Sequence, residues 1–121
     1  MILKDNLYKI SSIDVEDENY KIEVLLDAGH EIFKGHFPEQ PVLPGVCLLE
    51  MLKELISEVK GKAYRLKEAG NIKYLKLVDP RNDPKLTLLI HAKEGEAGLT
   101  VNASSLLSGG DTNFKIKATF S

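Results

Sequence analysis

Polar and apolar residues along the chain change period twice. Tyr20, Ile22, Val24 and Leu26 alternate with Lys21, Glu23 and Leu25, which predicts an antiparallel strand with one buried face. Residues 7–13 precede it as a first strand, and the acidic stretch 14–19 between the two reads as a solvated turn. Residues 27–33 read as irregular, with room for one helical turn. From Pro44 to Val59 the period becomes helical. Val46, Leu49, Leu52, Ile56 and Val59 form one stripe, and Leu48, Met51 and Leu55 widen it enough to imply burial on more than one side. Gly61 ends this helix of about four turns, at the position where left-handed backbone is least costly. Strand signals then run to the end. Residues 63–78 predict a long strand with a bulge or bend at Gly70-Asn71, and residues 79–84 a loop. Three further strands follow, on Leu86–Ala92, Leu99–Ser105 and Phe114–Phe120, joined as a hairpin meander. Strands, one helix, then more strands predict an α+β domain in which an antiparallel sheet wraps a single helix.

Composition narrows the class. At 121 residues the chain fits one domain spanning residues 1–121, and 43% hydrophobic with 28% charged residues is ordinary globular composition. The formal charge of −2 and the absence of a basic, aromatic-interleaved stripe argue against nucleic acid as a partner. The first residues are too few and too polar for a signal peptide, and no apolar run approaches the ~20 residues that span a bilayer. No membrane association and a cytoplasmic location are therefore expected. Cys47 is the single cysteine, which excludes an intrachain disulfide and a cysteine-rich metal cluster.

The chemistry concentrates in residues 35–50, G-H-F-P-E-Q-P-V-L-P-G-V-C-L-L-E. Pro38, Pro41 and Pro44 stiffen the backbone just before the helix, so a rigid loop presents His36 beside a helix start. Pro44 suits the first helical position, and Gly45 and Val46 then offer free N–H groups where the helix dipole favours negative charge. Glu50 lies one and a half turns further on, flanked in sequence by Leu48, Leu49, Met51 and Leu52. A buried carboxyl there needs a partner, and His36 is the obvious one. A base on the loop, an oxyanion-binding helix end and a carboxyl on the same helix make an acid/base site for a carbonyl compound. A lone histidine would more often be structural, and His30 and His91, without companions at metal-ligand spacing, are read as surface or supporting residues. No metal site is expected. Cys47 reads as small buried filling, because no neighbouring base would activate it.

The run H-F-P-x-x-P-V-x-P-G-V, with Glu fourteen residues after the His, resembles the 3-hydroxyacyl-acyl carrier protein dehydratases of the FabZ and FabA type. The resemblance implies the hotdog fold. It places His36 on the catalytic histidine, Glu50 on the catalytic acid, and Gly45 on the glycine whose N–H polarises the thioester carbonyl, with Phe37 and Val46 beside them in substrate binding. It implies removal of water from a (3R)-3-hydroxyacyl thioester carried by acyl carrier protein or coenzyme A, without metal or organic cofactor. It also implies a homodimer, or a trimer of such dimers, in which the His of one subunit faces the acid of the other. Two departures stand out. Glu39 replaces the usual glycine after H-F-P, and Met51 and Glu54 stand where the family shows a small residue and a glutamine, so a divergent member is expected. Lys60, Lys62, Arg65 and Lys67 form a basic run that Lys73, Lys76 and Arg81 extend, and this is either a solvated face or a docking surface for an acidic carrier protein. The alternatives are a hotdog thioesterase or a non-catalytic acyl-thioester-binding relative.

Overall fold

Six strands and one long helix make up the computed structural model, which describes residues 2–34 and 41–121. In chain order they are β1 (Tyr8–Glu16), β2 (Asn19–Leu26), a 3-10 turn (Glu31–Phe33), α1 (Gly45–Lys60), β3 (Leu66–Tyr74), β4 (Lys85–Gly95), β5 (Gly98–Leu106) and β6 (Thr112–Phe120). All pairings are antiparallel, in one sheet of order β1-β2-β4-β5-β6-β3. The expected meander is present as β4-β5-β6. The strand after the helix does not pair with its sequence neighbour β4: β3 pairs with β6 at the far edge, and the loop that follows carries the chain back to β4 beside β2.

Alternation decides which face is buried. Ile22 and Val24 of β2, Leu86, Leu88 and Ile90 of β4, Leu99 and Val101 of β5, and Phe114, Ile116 and Phe120 of β6 join one cluster with the buried side of α1. That side is Cys47, Leu48, Met51, Leu52, Leu55 and Ile56. Burying each large side chain contributes about 1.5–3 kcal/mol. The helix is not covered all round as the broad apolar arc suggested. Val46 is 67% exposed, and Leu49 and Val59 are only partly buried, because a single sheet covers a single side.

Local boundaries differ from the sequence expectation where side-chain polarity misleads. The acidic residues Asp14 and Glu16 belong to β1, exposed but paired with Lys21 and Asn19, so the turn shrinks to Asp17 and Glu18. Asp17 makes that turn with φ 55°. β3 is shorter than residues 63–78 because Leu75 N–H and Lys76 N–H both turn to Asn113 C=O. One of its two bulges falls where Gly70-Asn71 placed it, between Ala69 and Asn71, and the other lies between Leu66 and Glu68. The β4–β5 turn requires its glycine: Gly98 has φ 120°, and a Cβ there would lie 2.5 Å from Phe120 O. Among the described residues no helix is long and apolar enough to cross a membrane.

Tyr64, in the segment between α1 and β3, is buried and donates its hydroxyl to Glu94 at 2.5 Å. That bond, and then burial, push its phenol from 10.0 up to about 12. A proton held more tightly in the folded chain means stability that is fully present below pH 10 and is lost as pH rises towards the folded value. Denaturation midpoints should therefore fall as pH climbs from about 10 to about 12, and Tyr64→Phe should shrink that fall. Part of it persists, because burial and Glu54 push Tyr8 up as well. An identical pH profile in Tyr64→Phe would contradict this assignment.

Candidate active site

The helix start holds the first half of the site. Pro44 is the N-cap rather than the first helical residue: its ψ of 144° is extended, and its C=O accepts from Cys47 N–H at 3.0 Å. Among the described residues no side chain caps this end. Among the described residues, the N–H groups of Gly45 and Val46 have no acceptor. Within the described residues this leaves two donors at the helix mouth, where the dipole favours negative charge, and the proline stands one position earlier than the sequence anticipated. Leu43 N–H donates to Val78 C=O at 2.9 Å and fixes the chain entering the helix. A cavity of 420 Å³ opens there, lined by Leu43, Pro44, Gly45 and Val46 on one side and Tyr74, Lys76 and Leu77 on the other.

Tyr74, at the end of β3, forms the cavity wall against Gly45. Its hydroxyl donates to Gly45 C=O at 3.3 Å, and its ring lies 5.2 Å from that of Phe114. A Cβ on Gly45 would meet that ring at 2.8 Å. Gly45 is therefore glycine here for space. Burial pushes the Tyr74 phenol above its usual value, so it stays a donor at neutral pH. Nothing in the local sequence marks Tyr74, because it reaches the helix through strand pairing twenty-nine residues on.

Glu50 sits differently from the sequence expectation. Residues on a helix are separated by about 100°, so Glu50 shares a side with Val46 and Lys53, opposite the stripe packed on the sheet. Its leucine and methionine neighbours in sequence point elsewhere. The carboxyl is 22% exposed and pairs with Lys53 Nζ at 2.7 Å, its partner among the described residues. It opens to the same uncovered side of the helix as the exposed Val46. His36 and Phe37, assigned to catalysis and substrate binding, lie outside the described residues, as do Gly35 and Glu39.

Glu54, which stands where the family shows a glutamine, anchors residues 3–8. Its carboxylate accepts from Leu3 N–H at 2.8 Å, Lys4 N–H at 2.9 Å and Tyr8 hydroxyl at 2.9 Å. Hydrogen bonds to a charged acceptor contribute about 1.5–3 kcal/mol each. Glu54 therefore has a structural duty, and a neutral glutamine could not accept so many donors with the same strength.

The remaining candidates take supporting positions. His30 caps the 3-10 turn, its Nδ1 accepting from Ile32 N–H at 3.1 Å. His91 stands on the outer face of β4 between Asn19 and Asn102. Cys47 is fully buried and its thiol is pushed up by burial, as suits filling. The basic run after the helix lies at the end of α1 remote from Gly45, roughly 22 Å along the axis at the usual rise per residue. Lys60 and Lys62 stand over the rings of Tyr20 and Tyr64, and Lys67 Nζ donates to Ala97 C=O.

Known proteins match most of the chain. The family described as ApeI-like, ApeI dehydratase, matches residues 12–110. The 3-hydroxyacyl-[acyl-carrier-protein] dehydratase FabZ of Lactococcus lactis subsp. cremoris (strain SK11) is 34% identical over 88 residues, covering 67% of this chain and 58% of the relative. FabZ of Clostridium acetobutylicum is 34% identical over 76 residues, covering 57% of this chain and 54% of the relative. The chain thus spans less than two thirds of the length of these relatives. Among solved structures, a chain of the dehydratase heterocomplex ApeI:P from Xenorhabdus doucetiae matches with a TM-score of 0.78 at 21% identity, covering 93% of this chain and 96% of the other. A hypothetical thioesterase with coenzyme A from Streptococcus pneumoniae matches with a TM-score of 0.62 at 16% identity, covering 93% and 83%. At those identities the likeness is one of fold, the hotdog arrangement of one antiparallel sheet around one helix.

Proposed function

This chain belongs to the ApeI-like dehydratase family, and we propose from that premise that it removes water from a (3R)-3-hydroxyacyl thioester to give the trans-2-enoyl thioester. The observation that carries the reading is the mouth of α1, where among the described residues the Gly45 and Val46 N–H groups lack acceptors beside an apolar cavity. A thioester carbonyl oxygen seated there meets two donors and the positive end of the helix as enolate charge develops. His36, neutral, takes the proton from the carbon next to the carbonyl. The C3–O bond then breaks, and the hydroxyl takes up the proton that His36 removed, handed on with the help of Glu50 on the uncovered side of the helix, and leaves as water.

The acyl group is presented on acyl carrier protein or coenzyme A, as the names of the FabZ relatives suggest for the former. Two copies associate in this reading. Leu75, Leu77 and Val46 are 51%, 72% and 67% exposed around the site, an apolar surface that needs covering, and β3 presents a free sheet edge. The pairing brings the His36 loop of one subunit to the Glu50 face of the other. A cytoplasmic setting and a role in fatty acid or polyene synthesis go with that substrate class.

The test is product analysis on a 3-hydroxybutyryl thioester. Loss of one water with the thioester intact is the expected result. Release of free thiol without enoyl product would instead identify a thioesterase, and tight acyl-thioester binding without turnover a binding protein.

A further inference from the structure

The sheet's outer face carries a basic groove away from Lys60–Lys67, joining Lys73 of the run's extension to two lysines of β6. Lys73 on β3 stands directly across from Lys115 on β6, and Lys117 follows two residues on, opposite Asn71. On the other side of β6 their neighbours are Ser104 and Asn102. The groove between these strands has a volume of 280 Å³. All three lysines are exposed, and among the described residues none of their ammonium groups is in an ion pair. The nearest acid along the outer face of β3 is Glu68, opposite Thr119 and beyond the groove. Like charges set directly across a strand pair destabilise the sheet. A chain with net charge −2 has thus gathered unpaired positive charge in one place, an arrangement that an acidic partner would relieve.

Position identifies the partner. Lys73 is the sequence neighbour of Tyr74, whose ring packs on Gly45 at the helix mouth. Past the end of β3, Lys76 lines the cavity itself. Lys117, Lys115, Lys73 and Lys76 therefore trace a basic path from the outer face, around the strand's end, to the proposed oxyanion site. Asp111, the acid at that end, is already held by Lys76 at 2.7 Å. The basic run at Lys60–Lys67 begins at the other end of α1. We propose that Lys73, Lys115 and Lys117 are the docking surface for the acidic carrier domain that presents the acyl thioester, with its flexible arm passing the end of β3 to reach Gly45. This rests on the reading of the substrate as a carrier-held thioester.

The test is binding of a fluorescently labelled holo acyl carrier protein without an acyl group, so that it does not depend on turnover. Triple reversal of Lys73, Lys115 and Lys117 to Glu is expected to weaken binding at least about tenfold and to invert its dependence on salt, so that added salt no longer weakens it. The triple Lys→Gln variant should fall between. Reversal of Lys60, Lys62 and Lys67 should change binding less than about twofold. Dehydration of a small 3-hydroxybutyryl thioester, measured on the same proteins, should stay within about twofold of wild type. Unchanged carrier binding in both triple variants would overturn the proposal even if the small thioester is dehydrated. So would lysine-dependent binding to vesicles of phosphatidylglycerol and phosphatidylcholine by a wild-type protein that ignores the carrier. Absent dehydration with intact lysine-dependent carrier binding would instead remove the catalytic reading and leave the docking surface standing.

Discussion

Replacing His36 by Ala is expected to lower kcat for dehydration roughly 100- to 10,000-fold, the span usual for a lost general base, with KM little changed. Glu50→Gln should fall in the same span, because the amide keeps the shape of the carboxyl but cannot share its proton chemistry. The assay is enoyl-thioester formation from a short 3-hydroxyacyl substrate, with circular dichroism to confirm folding. Lys53→Gln serves as the control. It removes the 2.7 Å partner of Glu50 without touching the proposed proton path. The pair with Lys53 is partly exposed, worth about 0.2–1 kcal/mol, so rates should change by less than about fivefold. Full activity in His36→Ala would mean that the loop histidine is structural after all.

Gly45→Ala should be the next most damaging change, lowering kcat about 100-fold or more. The added methyl meets the Tyr74 ring at 2.8 Å, and that ring is held by Phe114 on one side and by its hydroxyl on Gly45 C=O. Either the ring leaves or the first turn of α1 shifts. A shift moves the very donors that face the thioester oxygen, and small misplacements of such groups are expensive in rate. The two routes separate in the double variant with Tyr74→Ala, where the methyl has room. Recovered thermal stability with activity still low would place the defect in oxygen binding. Recovery of both would place it in the displaced ring. Wild-type activity in Gly45→Ala alone would remove the helix mouth from the reaction.

The parts of this molecule that local pattern controls were legible before any coordinates. Period-2 alternation marked the strands of the meander, Gly70-Asn71 marked a bulge, and the change of period at Pro44 marked the helix, whose first amides have no acceptor among the described residues. What stayed hidden depends on contacts between distant residues. The position of β3 at the sheet edge beyond β6 leaves no local trace, since its own period would fit any edge. Tyr74 meets Gly45, and Glu54 meets Leu3, Lys4 and Tyr8, across separations that no window spans. Glu50 illustrates a different cause. Adjacent leucines in sequence suggested a buried carboxyl, but adjacency on a helix means facing away, and the angle rather than the neighbours sets its exposure. Pro44 shows how fine the boundary is: a proline suits either the cap or the first turn, and its ψ of 144° makes it the cap. For the loop residues His36 and Phe37, the reading still rests on their resemblance to the family motif.

That the imidazole and the carboxyl act on one acyl group, each supplied by a different subunit, is tested most directly by mixing. Purified His36→Ala and Glu50→Gln proteins, each nearly inactive, are allowed to exchange subunits, and enoyl-thioester formation is followed as mixed dimers accumulate. Each mixed dimer would hold one site with both groups intact, so activity should rise to roughly a quarter of wild type at full exchange. Mixed dimers shown to have formed, with activity still at the level of the separate variants, would contradict the arrangement.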